Sequence, residues 1–387
     1  MSKPSAPPPS DLIQIGKIPA DLFAKNGMLF IKQGHYVLTE AQKQRLIEHG
    51  HLTGHDRAAL VEKELRERRE KQEQERREQA NRQSNPLLEM DRLAHKMSGL
   101  LNRFFEFRNF GAEIEQVADT LIRLAQQQPD GLIAACLLVP SRDYGSTHSL
   151  HTAAVLAVLA RRLNLPATEQ HVLLCAALTM NIAATTLHSE LDRQTEPMRE
   201  DQRSDMYAHP LLSSAILRDL KVEDERWHLL VQQHHEEWNG DGYPYSLRKE
   251  QIDPGAHLIH LTDVLTALLT THAHRPGHLP SVALGKLYRG DFSSFDSRFV
   301  ALLIKEIGIY PPGSFVRLVN GEIAVVVQRP QEGRGNTPRV AAVRGSSGDM
   351  YGEPLPRNTV QSEYAISAPV SLKDASVRPS FLVKLWG

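Results

Sequence analysis

Apolar and polar positions along this chain fall into three regimes. Apolar runs at Lys17–Phe23 and Met28–Lys32 flank Lys25-Asn26-Gly27, predicting two short strands joined as a hairpin. Thr39 then caps a short helix, Glu40–His49, that stops at Gly50. From Asp56 to Gln83 apolar positions almost vanish. The i,i+4 pairs Glu62/Arg66, Glu64/Arg68, Glu67/Lys71 and Glu73/Arg77 predict an exposed helical spacer there, not a coiled coil. Between Leu87 and Ile309 the apolar spacing is helical. It predicts helices over Leu88–Phe105, Ile114–Gln127, Thr147–Leu163, His171–Ala183, His209–Leu220, Glu223–Glu237, Pro254–Ala273 and Phe295–Ile307. Beyond Pro311-Pro312-Gly313 the period shortens. Phe315–Val319, a turn at Asn320-Gly321, Ile323–Val327 and Val340–Val343 read as strands.

The expected organisation is mainly α: residues 1–10 disordered, a small α+β accessory unit at 11–55, a charged helical spacer at 56–86, a helical domain at 87–310, and a β-rich C-terminal extension at 311–387. A unit as small as 11–55 is expected to dock elsewhere or to form a homodimer.

Composition narrows the function classes. Lys+Arg 45 against Asp+Glu 46 leaves a net charge of -1, so no global field recruits nucleic acid or an anionic membrane. Acidic residues alternate with the basic ones in the spacer, which argues against nucleic acid there too. Cys136 and Cys175 lie in apolar helical stretches and read as small buried hydrophobes. No apolar run reaches the roughly 18 residues of a membrane span. Met1–Ser10 lacks the apolar core of a signal peptide, and the expected location is the cytoplasm. The 18 histidines stand out, and they concentrate in the middle of the chain.

One stretch gathers chemistry. His234-His235 leads through Glu236-Glu237 into the glycine-rich turn Trp238-Asn239-Gly240-Asp241-Gly242-Tyr243-Pro244, where no helix can continue. Adjacent imidazoles at a helix end can reach one cation. His148 opens one predicted helix, and His209 precedes Pro210 at the start of another. Asp263 sits in the middle of an apolar helical face, where it needs a hydrogen-bonding partner or a cation. His151 and His171 read as structural.

This set resembles the HD-GYP family, helical metal-dependent phosphodiesterases of the bacterial second messenger cyclic di-GMP. The likeness runs from Tyr144 to Pro312. It is carried by His148-Ser149, by His209-Pro210 with Ala215-Ile216-Leu217, by His234 to Pro244, and by Ala256–Leu268 around Asp263. The N-terminal hairpin unit is similar to an accessory domain that precedes some members. The resemblance implies an HD-type helical bundle in which His148, His209, His234, His235 and Asp263 bind iron- or manganese-like metals. It also associates the Gly-Tyr-Pro loop with docking to diguanylate cyclases of the GGDEF type.

The departure from the family is equally specific. Members carry a His-Asp pair, with Lys three residues after the Asp, on the helix following the first histidine. Here Met180, Asn181 and Ala184 stand at those positions. A thioether suits soft ions, an amide brings no negative charge to bridge two cations, and a methyl group cannot meet a phosphate. A two-metal hydrolysis, which needs both ions, is expected to fail. The expectation is a catalytically degenerate regulatory, ligand-sensing or partner-binding module in cyclic di-GMP signalling. The alternative is an active cyclic di-GMP phosphodiesterase working from a reduced site with one divalent iron- or manganese-like metal.

Overall fold

The computed structural model describes residues 4–6, 13, 15–53, 85–140, 143–273, 275–291, 293–330 and 337–387, and divides into two units, 1–82 and 83–387. The spacer expected at 56–86 lies, up to residue 84, outside the described residues.

The first unit holds strands β1 (Pro4–Ala6), β2 (Gly16–Lys17), β3 (Leu22–Phe23), β4 (Leu29–Ile31) and β5 (Tyr36–Val37), helix α1 (Glu40–His49) and β6 (Leu52–Thr53). β3 and β4 form the expected hairpin; β2 pairs instead with β5. β1 lies inside the stretch expected to be disordered and pairs antiparallel with β6. Thr39 caps α1 through a full capping box with Gln42. The core is small, seven residues centred on Ile18, Leu22, Val37 and Leu46, which limits what burial alone can contribute.

The second unit is the expected helical bundle with an appended sheet. Its helices are α2 (Pro86–Asn102), α3 (Phe110–Gln127), α4 (Pro129–Leu138), α5 (Tyr144–Arg162), α6 (Ala167–Thr179), α7 (Thr185–Arg193), α8 (Glu200–Asp219), α9 (Glu225–Gln233), α10 (Pro254–Leu269), α11 (Pro280–Arg289) and α12 (Ser297–Ile307). α5 is the central element. Every residue from Tyr144 to Ala160 is buried, and its Gly, Ser, Ala and Thr positions let neighbouring helices approach closely. α6, with the single 3-10 turn Ile182–Ala184 and α7, makes an apolar helical stretch, Ala167–Arg193, long enough to cross a membrane. In its most apolar window 78% is buried inside the protein, so it serves as bundle core.

The predicted helix boundaries leave out α7 and α11 and give α4 no bounds, although Cys136 marks it as helical, and α8 starts earlier than predicted. That helix begins at Glu200, so Pro210 lies inside it and not at its start. The five C-terminal strands, β7 (Phe315–Leu318), β8 (Ile323–Gln328), β9 (Arg339–Arg344), β10 (Met350–Asn358) and β11 (Ile366–Val370), form one antiparallel sheet in the order β10-β9-β8-β7-β11. One sheet face, with Phe315, Val325, Ala341 and Val343, joins the bundle core. The other, with Val316, Val326 and Val340, closes over Tyr351, Leu355 and Ile366.

Candidate metal centre

The mid-helix proline of α8 sets up the first ligand. Pro210 has no N–H for the carbonyl four residues back, which is that of Met206. His209 fills the gap: its Nδ1–H donates to Met206 O at 2.6 Å. That bond fixes the ring and leaves Nε2 as a bare lone pair. α9 repeats the device at its C-terminal end, where His234 Nδ1–H donates to Val231 O at 2.7 Å. The two Nε2 atoms then face each other at 3.2 Å.

Burial lowers the pKa of His234 and drives those of His209 and His235 well down, so these rings are neutral at pH 7. Two lone pairs at that separation repel unless a cation lies between them. Ligand nitrogens each about 2.1 Å from one ion sit about 3.0–3.4 Å apart, which matches. His235 adds an Nε2 that is buried and without a partner. The ligand atoms of His209, His234 and His235 lie within 4.8 Å of one another, and so do those of His235, His260 and Asp263.

Asp263, in the middle of α10, is buried and accepts from His148 Nε2 at 2.6 Å, a bond from α5. Burial pushes its carboxyl up, but His148 outweighs this and holds it below the usual carboxylate range. Pairing with a neighbouring helix and a place beside a candidate cation site thus coexist at this residue. His260 was passed over in the sequence. It lies one turn before Asp263 on α10, with Nε2 hydrogen-bonded to Ser293 Oγ at 2.8 Å and Nδ1 buried without a partner. His188, on α7, lies beside the rings of His148 and His209 but belongs to neither group. His151 and His171 are not brought into the cluster: His151 is buried in the bundle, and His171 pairs with Asp119 at 3.4 Å.

Buried polar atoms without partners are rare in folded proteins. Here His148 Nδ1, His188 Nε2, His235 Nε2 and His260 Nδ1 are all of that kind. The groups close enough to hold a divalent cation are His209, His234 and His235, and His235, His260 and Asp263; His209 and His234 have each spent their ring N–H on a backbone carbonyl, so neither can donate to the other's Nε2.

The glycine turn forms one wall of this site. Glu236 is fully buried and accepts the backbone N–H groups of Tyr245 at 2.7 Å and Leu247 at 2.8 Å, pulling the loop back on itself. A Cβ at Gly242 would lie 2.3 Å from Glu237 N and 2.5 Å from His235 O, so only glycine fits. Tyr243 stacks on the His235 ring at 4.7 Å and also meets Tyr207 at 4.6 Å. Trp238 packs on His257, while Asn239 and Asp241 are exposed.

Met180, Asn181 and Ala184 are all buried at the junction of α6 and α7. That junction packs on α8, where Ala183 N–H donates to Ser213 Oγ one turn beyond His209. Asn181 Oδ1 has no partner.

Residues 116–299 match the family model of the HD domain. The chain is 26% identical over 250 residues to a cyclic di-GMP phosphodiesterase of Pseudomonas aeruginosa, covering 64% of this chain and 59% of that one. It is 27% identical over 197 residues to the cyclic di-GMP phosphodiesterase response regulator RpfG of Xanthomonas campestris, covering 49% and 48%. The matches thus span between about half and three-fifths of the length of these curated relatives. Among solved structures, the HDG"Y"P protein Bd1817 of Bdellovibrio bacteriovorus aligns with a TM-score of 0.48 and 18% identity, over 76% of this chain and 96% of that one.

Proposed function

We propose that this HD domain is a catalytically degenerate, HD-GYP-like module of bacterial cyclic di-GMP signalling, acting in the cytoplasm by sensing the dinucleotide or binding a partner. The observation that carries this is the buried Met180-Asn181 step with Ala184 beside it. Two divalent ions in a buried site need bridging negative charge, and Asp263 is the one carboxylate in the clusters of candidate ligands among the described residues. A second ion would be held by neutral donors alone. The retained turn, clamped by Glu236, supports a role for its shape. Its exposed Asn239 and Asp241 suit contact with a partner such as a GGDEF-type diguanylate cyclase. A homodimer formed through the N-terminal unit belongs to the same reading.

The facing Nε2 atoms of His209 and His234 favour a second reading, in which one divalent ion is still held. Of the iron- and manganese-like ions implied by the resemblance, a nitrogen-rich set favours iron. Such an ion, when bound with an open position, lowers the pKa of water and supplies a nucleophile. The chain's own part is to hold neutral imidazoles in fixed tautomers and to keep Asp263 ionised. A residual phosphodiesterase of that kind is the alternative. Calorimetry with cyclic di-GMP, run beside a hydrolysis assay on metal-loaded protein, separates the two. Binding without turnover is the expected result, and turnover abolished by His234→Ala would overturn it.

A further inference from the structure

We infer that His260, which the family resemblance does not single out, is a ligand of the single ion and completes a two-histidine, one-carboxylate site with His235 and Asp263. This rests on the one-ion reading above.

His260 and Asp263 stand three residues apart on α10 and so share a helix face. The ligand atoms of His235, His260 and Asp263 all lie within 4.8 Å of one another. The rings of His235 and His260 have centres 5.8 Å apart, with their planes at 75°. An imidazole bound through one nitrogen places its ring centre about 3.2 Å from the ion, so two rings sharing one ion have centres no more than about 6.4 Å apart. This pair meets that limit.

The His260 ring is held from outside the site. Its Nε2 bonds to Ser293 Oγ at 2.8 Å, and Phe295 packs against it with ring centres 5.1 Å apart. With Nε2–H donated to that hydroxyl, Nδ1 keeps a bare lone pair. It is buried without a hydrogen-bond partner, as is His235 Nε2. The His234 carbonyl acts on the charge of the His260 ring but does not reach hydrogen-bonding geometry at Nδ1. Asp263 gives Oδ1 to His148 at 2.6 Å, and a carboxylate has a second oxygen to offer. Two buried nitrogens without partners, on rings that share a carboxylate neighbour, are accounted for by a cation.

His235 is common to both groups of candidate ligands, and its Nε2 serves one ion at a time. The group with His209 and His234 brings no negative charge. The group with His260 brings Asp263, which offsets part of a divalent charge inside the protein. Two imidazoles and a carboxylate with open positions also suit ferrous iron.

Chelator-stripped full-length protein titrated with Co2+ and followed by absorption tests this. Wild type is expected to bind one equivalent with d–d bands. His260→Ala should weaken Co2+ binding at least about tenfold, with the circular dichroism of the metal-free protein unchanged. His260→Cys, whose thiolate takes the place of Nδ1, should recover affinity and add a sulfur-to-cobalt charge-transfer band that wild type lacks. A side chain kept only for packing gives no such band, so His260→Cys carries the test if His260→Ala does not fold. Wild-type affinity in folded His260→Ala, or Co2+ bound by folded His260→Cys without that band, would overturn the ligand assignment alone. No Co2+ uptake by wild type would overturn both the assignment and the one-ion reading.

Discussion

Glu236→Ala removes the carboxylate that clamps the glycine turn. The side chain is fully buried and accepts two backbone N–H groups, at 2.7 Å and 2.8 Å. A hydrogen bond to a charged group contributes about 1.5–3 kcal/mol, and a donor left buried without a partner costs a similar amount. The two bonds share one acceptor group and are not additive, so the loss is about 3–5 kcal/mol. For a domain of this size each kcal/mol moves the melting temperature by about 2–4 °C. A fall of roughly 10 °C is expected if the turn unfolds with the bundle. If the turn opens by itself, the same loss appears as fast amide exchange at Tyr245 and Leu247 with little change in melting. Calorimetry and hydrogen exchange on the same sample cover both cases. Glu236→Gln, which keeps one acceptor oxygen, should fall between. Wild-type melting together with protected Tyr245 and Leu247 amides in Glu236→Ala would refute the clamp.

Three further outcomes are expected. Pro210→Ala restores an N–H that competes with His209 for Met206 O, so the ring loses its tautomer lock; metal affinity should fall about 10–100-fold while helix stability rises. Unchanged affinity in a metal titration would contradict this. Burial lowers His151 and His257 from 6.5 to about 4. Between those values the unfolded chain takes up protons that the folded chain refuses, so stability is full above about pH 6.5 and falls as pH drops toward 4. Denaturant titrations at several pH values check that sign. Met180→His with Asn181→Asp should raise the metal content of purified protein, and no gain by elemental analysis would mean that this junction does not face the histidines.

The elements that were legible in the sequence are those with local signals. The capping box at Thr39 and the strands on either side of Asn320-Gly321 fall where short-range chemistry puts them. β10 and β11 were hidden because Pro354, Pro356 and Pro369 argue against strands. Both are edge strands, where a missing N–H is tolerated. α4 has no amphipathic period because Leu132–Ala135 is buried on all sides. Pro210 mimicked a helix start, since proline is common there and rare inside. The side chain that makes it tolerable, His209, was visible as a candidate ligand, but its bond to Met206 was not. His148, His234, His235 and Asp263 were legible through the Gly-Tyr-Pro spacing. His188 and His260 belong to no motif. The one signal for His260 was its place one turn before Asp263.

The central claim is the loss of hydrolysis with retention of the fold and the loop. Its most direct test is cyclic di-GMP turnover by iron- or manganese-loaded wild type, measured beside Met180→His/Asn181→Asp/Ala184→Lys under identical conditions. The account predicts no linear or mononucleotide product from wild type and measurable product from the triple variant. Steady turnover by wild type, abolished by His234→Ala and by chelator, would contradict it.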